Sequence, residues 1–256
     1  MSAAPSSTLR WLLPRICGAS LARWRVSALL HLAALPPLLT VWLGHWIHDE
    51  RLQVVGALLV CGFSGIWRIT LRWPVMVDAA AMTWAVGSAI AFQHNVPLLG
   101  VALALVAGCI KESAPVFAAC YGWTFLALIG LVAPLVRMLT ARVGADLMGQ
   151  PHVTRQPVAA SRVHHLGKWF DPRAMILPWG AGILAVLVTD RRIIPMLVVT
   201  VALAYGQVLV ATDTSRLYQW AAPPVILAAM TVLPPRWAFL ALLAHLFNPW
   251  AGSAEV

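Results

Sequence analysis

Lys111 and Glu112 stand side by side within Leu98 to Trp123, an apolar run otherwise long enough for a membrane helix. A charge at the centre of a bilayer costs roughly 2.5–3.5 kcal/mol on insertion scales, so such ions persist mainly where they pair or line a polar cavity. The pair is therefore a candidate site. Its plainer reading is two helix ends, with Lys111 reaching the headgroups and Glu112 in the first turn of the next helix, where its charge suits the dipole. Asp78 lies about one turn inside a segment with no other charge, PVMVDAAAMTWAVGSAIAF, and it too can be a helix-start acid. Near the C-terminus, ATDTSRLYQWAAPP places Asp213 and Arg216 three apart, on one helix face. Thr214 and Ser215 can cap a helix starting there, so a capped start with a local ion pair is the alternative to a site. His45 and His48 with Asp49 and Glu50 have a spacing that invites a metal. A loop between two spans must be polar in any case, and no metal site is expected there.

The elements that hold these residues must be membrane helices. With 61% hydrophobic residues, 11% charged and a mean hydropathy of +0.80, 256 residues cannot hide their apolar surface in one soluble core. The class expected is all-α: one polytopic transmembrane domain over 1–256, with about seven to nine helical membrane segments. Residues 1–25 carry Arg10, Arg15, Arg23 and Arg25 without a sustained apolar core, and read as an interfacial amphipathic segment rather than a signal peptide. Many of the Trp flank the apolar windows beside Arg or Pro (Trp11, Trp24, Trp46, Trp67, Trp73, Trp237, Trp250), as interfacial anchors do. The net charge of +9 concerns lipid headgroups and anionic substrates, and no nucleic-acid partner is expected. Four Cys without CxxC spacing read as small core residues.

The first span is expected at 26–47, kinked by Pro36–Pro37, and the second at 52–67. Two helices joined by a tight turn at His94–Asn95 form an antiparallel hairpin, which must bring Asp78 and Lys111 to the same membrane face. Residues 113–137 carry no charge between Glu112 and Arg137 but are interrupted by Pro115, Tyr121–Gly122 and Pro134. They form one kinked span or two half-length pieces that enter and return. Residues 138–174 are the long polar, basic stretch, expected to be the least helical and most mobile part of the chain. After Arg216, Pro223 and Pro224 are expected to break the following span.

Three motifs carry a resemblance: Pro74 with Asp78 and Ala79; Lys111 to Pro115; and Asp213 with Thr214, Arg216, Ala221 or Ala222, and Pro223. With Arg10 to Pro14, these resemble the multispanning GT-C-type glycosyltransferases and their bacterial relatives. The resemblance implies a sugar taken from a polyprenyl-phosphate donor on the non-cytoplasmic face and transferred to a hydroxyl or amide. It implies Lys111, Arg216 and Asp213 as substrate-binding residues and Asp78 and Glu112 as catalytic acids, either of which can hold the acceptor or a divalent ion, the cofactor in question. A guanidinium offers a phosphate a planar fork and an ammonium a point charge. The family's principal catalytic acid lies in a first external loop, after a first helix. The chain is expected to lack both, as a truncated, degenerate or inactive member or one completed by a partner chain. The topology that fits puts Arg10, Asp78, Lys111 and Arg216 outside and the His48–Arg51 loop inside. It requires residues 113–137 to enter and return. The rival classes are a transporter or channel subunit, with the same ions along a pathway at broken helices, and a membrane scaffold in which every charge is a helix end.

Overall fold

The computed structural model describes residues 12–63, 66–75, 77–137, 139, 189–208 and 219–246. Every regular element among them is helical. The chain divides into two compact units, one of Met1–Leu32 with Thr70–Arg155 and the other of Ala33–Ile69 with Gln156–Val256. Helix α2 begins in the first unit and ends in the second.

The first unit opens with α1 (Leu12–Cys17), stopped by Gly18 at a φ of 55°. Ser20 then starts α2 (Leu21–Gly44), its hydroxyl accepting from the Arg23 N–H at 3.4 Å. The helix thus begins before the span expected at 26–47 and carries Arg23 and Arg25, because the Gly18–Ser20 stop-and-start signal precedes both arginines. Trp24 is buried rather than an anchor, its indole N–H donating to the Gly18 carbonyl at 3.0 Å. Pro36 and Pro37 lie inside α2, and the Thr40 hydroxyl donates to the Pro36 carbonyl at 3.0 Å. Among the described residues α2 is the one helix long and apolar enough to cross a membrane. Only 28% of its most apolar stretch is buried, the opposite of the core helix of a soluble protein.

The centre of the first unit is α5 (Asp78–Gln93), buried along nearly all its length. Its many alanines let neighbouring backbones approach closely. Helix α6 (Pro97–Ile110) returns antiparallel to it, and the Ser88 hydroxyl bonds across to the Gly100 carbonyl at 2.7 Å. The turn between them closes with the Asn95 N–H on the Phe92 carbonyl (3.0 Å) and the Val96 N–H on the Ala91 carbonyl (2.8 Å). This helix-ending motif needs a left-handed residue, and Asn95 supplies it at φ 58°. Pro97 then sits in the first turn of α6, where its missing N–H costs nothing.

Helix α7 (Ala114–Gly122) ends in the same motif, with Trp123 left-handed at φ 49°. A 3-10 stretch, Phe125–Leu131, follows and leads into a helical turn reaching Arg137. It packs back on α7 and on α6. A Cβ placed on Gly130 would lie 2.9 Å from Pro115 Cβ and 2.5 Å from the Ala104 carbonyl oxygen, and one on Gly108 would run into the Gly130 carbonyl. Pro115 at the start of α7 and Gly130 in the return arm therefore lie side by side against α6 at Ala104 and Gly108. Residues 113–137 are thus two short pieces, the second packed back on the first, and not one continuous helix.

In the second unit α3 (Glu50–Cys61) packs on helices described below. Asp49 caps it, accepting from the Arg51 N–H at 2.9 Å, which gives the polar loop a structural task. The helix is shorter than the span expected at 52–67 because it stops at Gly62, and α4 (Arg68–Arg72) is separate. Helix α8 (Ile194–Val208) is followed, after undescribed residues, by a 3-10 turn at Gln219–Ala221 and by α9 (Ala222–Met230) and α10 (Pro235–Leu246). Helices α9 and α10 flank α3. Pro223 and Pro224 lie in the first turn of α9, where a proline lacks only an N–H the helix does not use, and the residues between Arg216 and Gln219 lie outside the described residues. Residues 138–174, apart from Leu139, lie outside the described residues.

Candidate functional site

Three helix ends meet where the expected site residues lie. Asp78 is the first residue of α5, so its carboxylate sits at the positive end of that helix. Lys111 follows α6 directly, at the negative end of its dipole, with an extended backbone (φ −148°, ψ 127°) that turns the chain towards α7. Its N–H donates to the Ala107 carbonyl at 2.8 Å, and its carbonyl accepts from the Ala114 N–H at 3.0 Å. The Lys111 ammonium donates to Asp78 Oδ1, closing the open end of the α5–α6 hairpin with an ion pair. Asp78 is 1% exposed and Lys111 4%. Their chain neighbours Val77, Ala79, Ile110 and Ala114 are buried too, so the pair sits in apolar surroundings.

Glu112 is half-buried next to the pair and also makes polar or electrostatic contact. Ser113 precedes α7 without capping it, and its buried hydroxyl has no hydrogen-bond partner among the described residues. In sequence Ser113 belongs to the Lys111–Pro115 motif but has no assigned role. A serine before Ala-Pro looks like an ordinary cap, and only the backbone shows that it does not cap. The sequence reading missed His31. The His31 Nδ1–H donates to the Ser27 carbonyl at 2.7 Å, and Nε2 accepts from the Trp84 indole at 3.1 Å. The Thr83 hydroxyl donates to the His31 carbonyl at 3.2 Å, so this cluster ties the first half of α2 to α5.

Asp213 and Arg216 lie outside the described residues. The next described residue after them is Gln219, fully buried, its amide without a hydrogen-bond partner among the described residues. A divalent ion does not fit the described site: Asp78 already binds an ammonium, and among the described residues no three His, Cys, Asp or Glu side chains come together. His45 and His48 fall under the same statement. All four cysteines are free thiols.

Compared with known proteins, the chain matches no family model, no curated protein and no solved structure. What the geometry offers chemically is one cation and one carboxylate locked together out of water, with a second carboxylate and an unused hydroxyl within two residues of the lysine.

Proposed function

We propose that the chain is a polytopic membrane protein of the GT-C-like kind that binds the phosphate of a polyprenyl-phosphate sugar at the open end of the α5–α6 hairpin. The observation that carries this is the buried Asp78–Lys111 pair, set where two helices begin and one ends. Large apolar side chains exposed along α2, α8 and α10 support the membrane setting. About seven to nine helical membrane segments, some half-length, remain the proposed count.

In this reading Lys111 is the cation for the phosphate, Asp78 holds it in place, and the Ser113 hydroxyl donates to a phosphate oxygen. Glu112 is the carboxylate proposed to take the acceptor proton, because it is half-buried where Asp78 is almost wholly buried. Asp213 and Arg216 enter as further substrate-binding residues on the strength of the resemblance, as does the transfer step itself. A partner chain supplying a first-loop acid belongs to the same proposal.

The test is direct binding of a polyprenyl-phosphate sugar to protein purified in detergent. A charge-assisted hydrogen bond is worth roughly 1.5–3 kcal/mol, so Arg216→Ala should weaken binding about ten- to a hundredfold. Arg216→Lys should restore only part, since the fork is lost. The double variant Asp78→Asn with Lys111→Met, chosen to stay folded, should lose binding. Full binding by that folded variant would refute the site. One observation favours a second reading, a non-catalytic scaffold: Lys111 and Asp78 neutralise each other and are almost inaccessible. Absence of binding by the wild-type protein would select it.

A further inference from the structure

We infer that residues 114–137 form a re-entrant hairpin whose Trp123–Thr124 turn is inserted among the acyl chains of the lipid, entering and leaving at the face that carries Asp78 and Lys111. The inference rests on the membrane reading above and adds a lipid-binding surface to it. At nine residues, α7 is about 14 Å long, roughly half the hydrocarbon thickness of about 30 Å. Pro115 in its first turn lies against Gly108, and Gly130, midway along the return arm, lies against Ala104 and Gly108 in the Lys111 half of α6. At the other end, a Cβ on Gly122 would lie 3.2 Å from Ala89 Cα and 3.5 Å from Phe92, close to the His94–Asn95 turn. The segment thus goes in along the hairpin and comes back, without crossing.

Two features suit the turn to lipid rather than water or a polar partner. Irregular backbone in hydrocarbon must satisfy its own polar groups. Here the Trp123 N–H donates to the Cys120 carbonyl (3.2 Å), the Thr124 N–H to the Ala119 carbonyl (3.0 Å) and the Leu126 N–H to the Thr124 hydroxyl (3.3 Å). The side chains that face outward are apolar: Trp123 is 56% exposed and Phe125 88%, with Leu126 and Ile129 beside them. No charge occurs between Glu112 and the exposed Arg137. Acyl chains need no polar group to recognise. The cost of leaving these side chains in water vanishes in a bilayer.

The experiment uses a variant with Cys17, Cys61, Cys109 and Cys120 replaced, reconstituted in phosphatidylcholine vesicles. A nitroxide is placed in turn at Phe125→Cys, Arg137→Cys and Asn95→Cys. The label at 125 should collide several-fold more with oxygen than with a water-soluble nickel chelate, and labels at 95 and 137 should show the reverse. An impermeant maleimide should reach Arg137→Cys and Glu112→Cys from one side and Asn95→Cys from the other. Nickel access at 125, shielding of 125 from both reagents, or labelling of 112 and 137 from opposite sides would overturn the inference alone. Release of the protein from membranes by alkaline carbonate would instead overturn the membrane reading, and this inference with it.

Discussion

Removing one member of the Asp78–Lys111 pair should cost far more than removing both. Lys111→Met leaves the Asp78 carboxylate 1% exposed with its ammonium gone. Breaking a buried pair in this way typically costs 3–5 kcal/mol. Asp78 keeps the favourable helix-start position, worth roughly 0.3–1 kcal/mol, so the expected loss is near the lower bound, about 3 kcal/mol. Asp78→Asn strands Lys111, which likewise keeps its place at the end of α6, and a loss of about 2–3 kcal/mol is expected. With both charges removed, neither desolvation nor attraction remains, and the double variant should fall within about 1 kcal/mol of wild type. The interaction energy from the cycle should therefore be about 4 kcal/mol or more. Unfolding of the four proteins in mixed micelles, followed by tryptophan fluorescence over an SDS titration, measures it. Additive losses, within about 0.5 kcal/mol, would show that the two side chains do not act as a buried pair and would refute the reasoning.

Gly108→Ala and Gly130→Ala should each destabilise the first unit by about 1–3 kcal/mol, since either Cβ meets backbone that has to move; unfolding in the same micelles checks this, and a neutral effect would mean the return arm is not packed on α6. Asn95→Val, forcing a β-branched residue to φ 58°, should cost about 1–2 kcal/mol, whereas Asn95→Gly should be tolerated. Nitrogen NMR of protein labelled in histidine should find His31 as the neutral Nδ1–H tautomer, and an Nε2–H tautomer would contradict the Trp84 hydrogen bond.

The α5–α6 hairpin was legible in the sequence because its signals are local. Two apolar runs of helix length, an asparagine able to take the left-handed conformation and a proline at the next helix start need no distant partner to be read. The same locality put Asp78 and Lys111 at one end of the hairpin, since an antiparallel pair of similar helices has no other place for them. That they form a buried pair, instead of Lys111 reaching outward as a solitary helix end, depended on the chain turning sharply into α7. Composition likewise determined the helical class.

What the sequence left open was decided by contacts between residues far apart in the chain. Pro115, Tyr121–Gly122 and Pro134 mark interruptions in residues 113–137 but not the direction in which the chain continues after each. That direction follows from Gly108 and Gly130, whose missing side chains let the return arm lie against α6 and Pro115. Pro223 and Pro224 show the same limit: a proline pair ends one helix or begins another, and only the turn at Gln219–Ala221 shows that here it begins one. The sequence alone determined a helical chain with a charged hairpin end, because apolar periodicity and turn residues act locally. Tertiary structure alone decided which charges meet and that the stretch after Trp123 doubles back on α6 and α7, because those outcomes depend on packing between segments the sequence keeps apart.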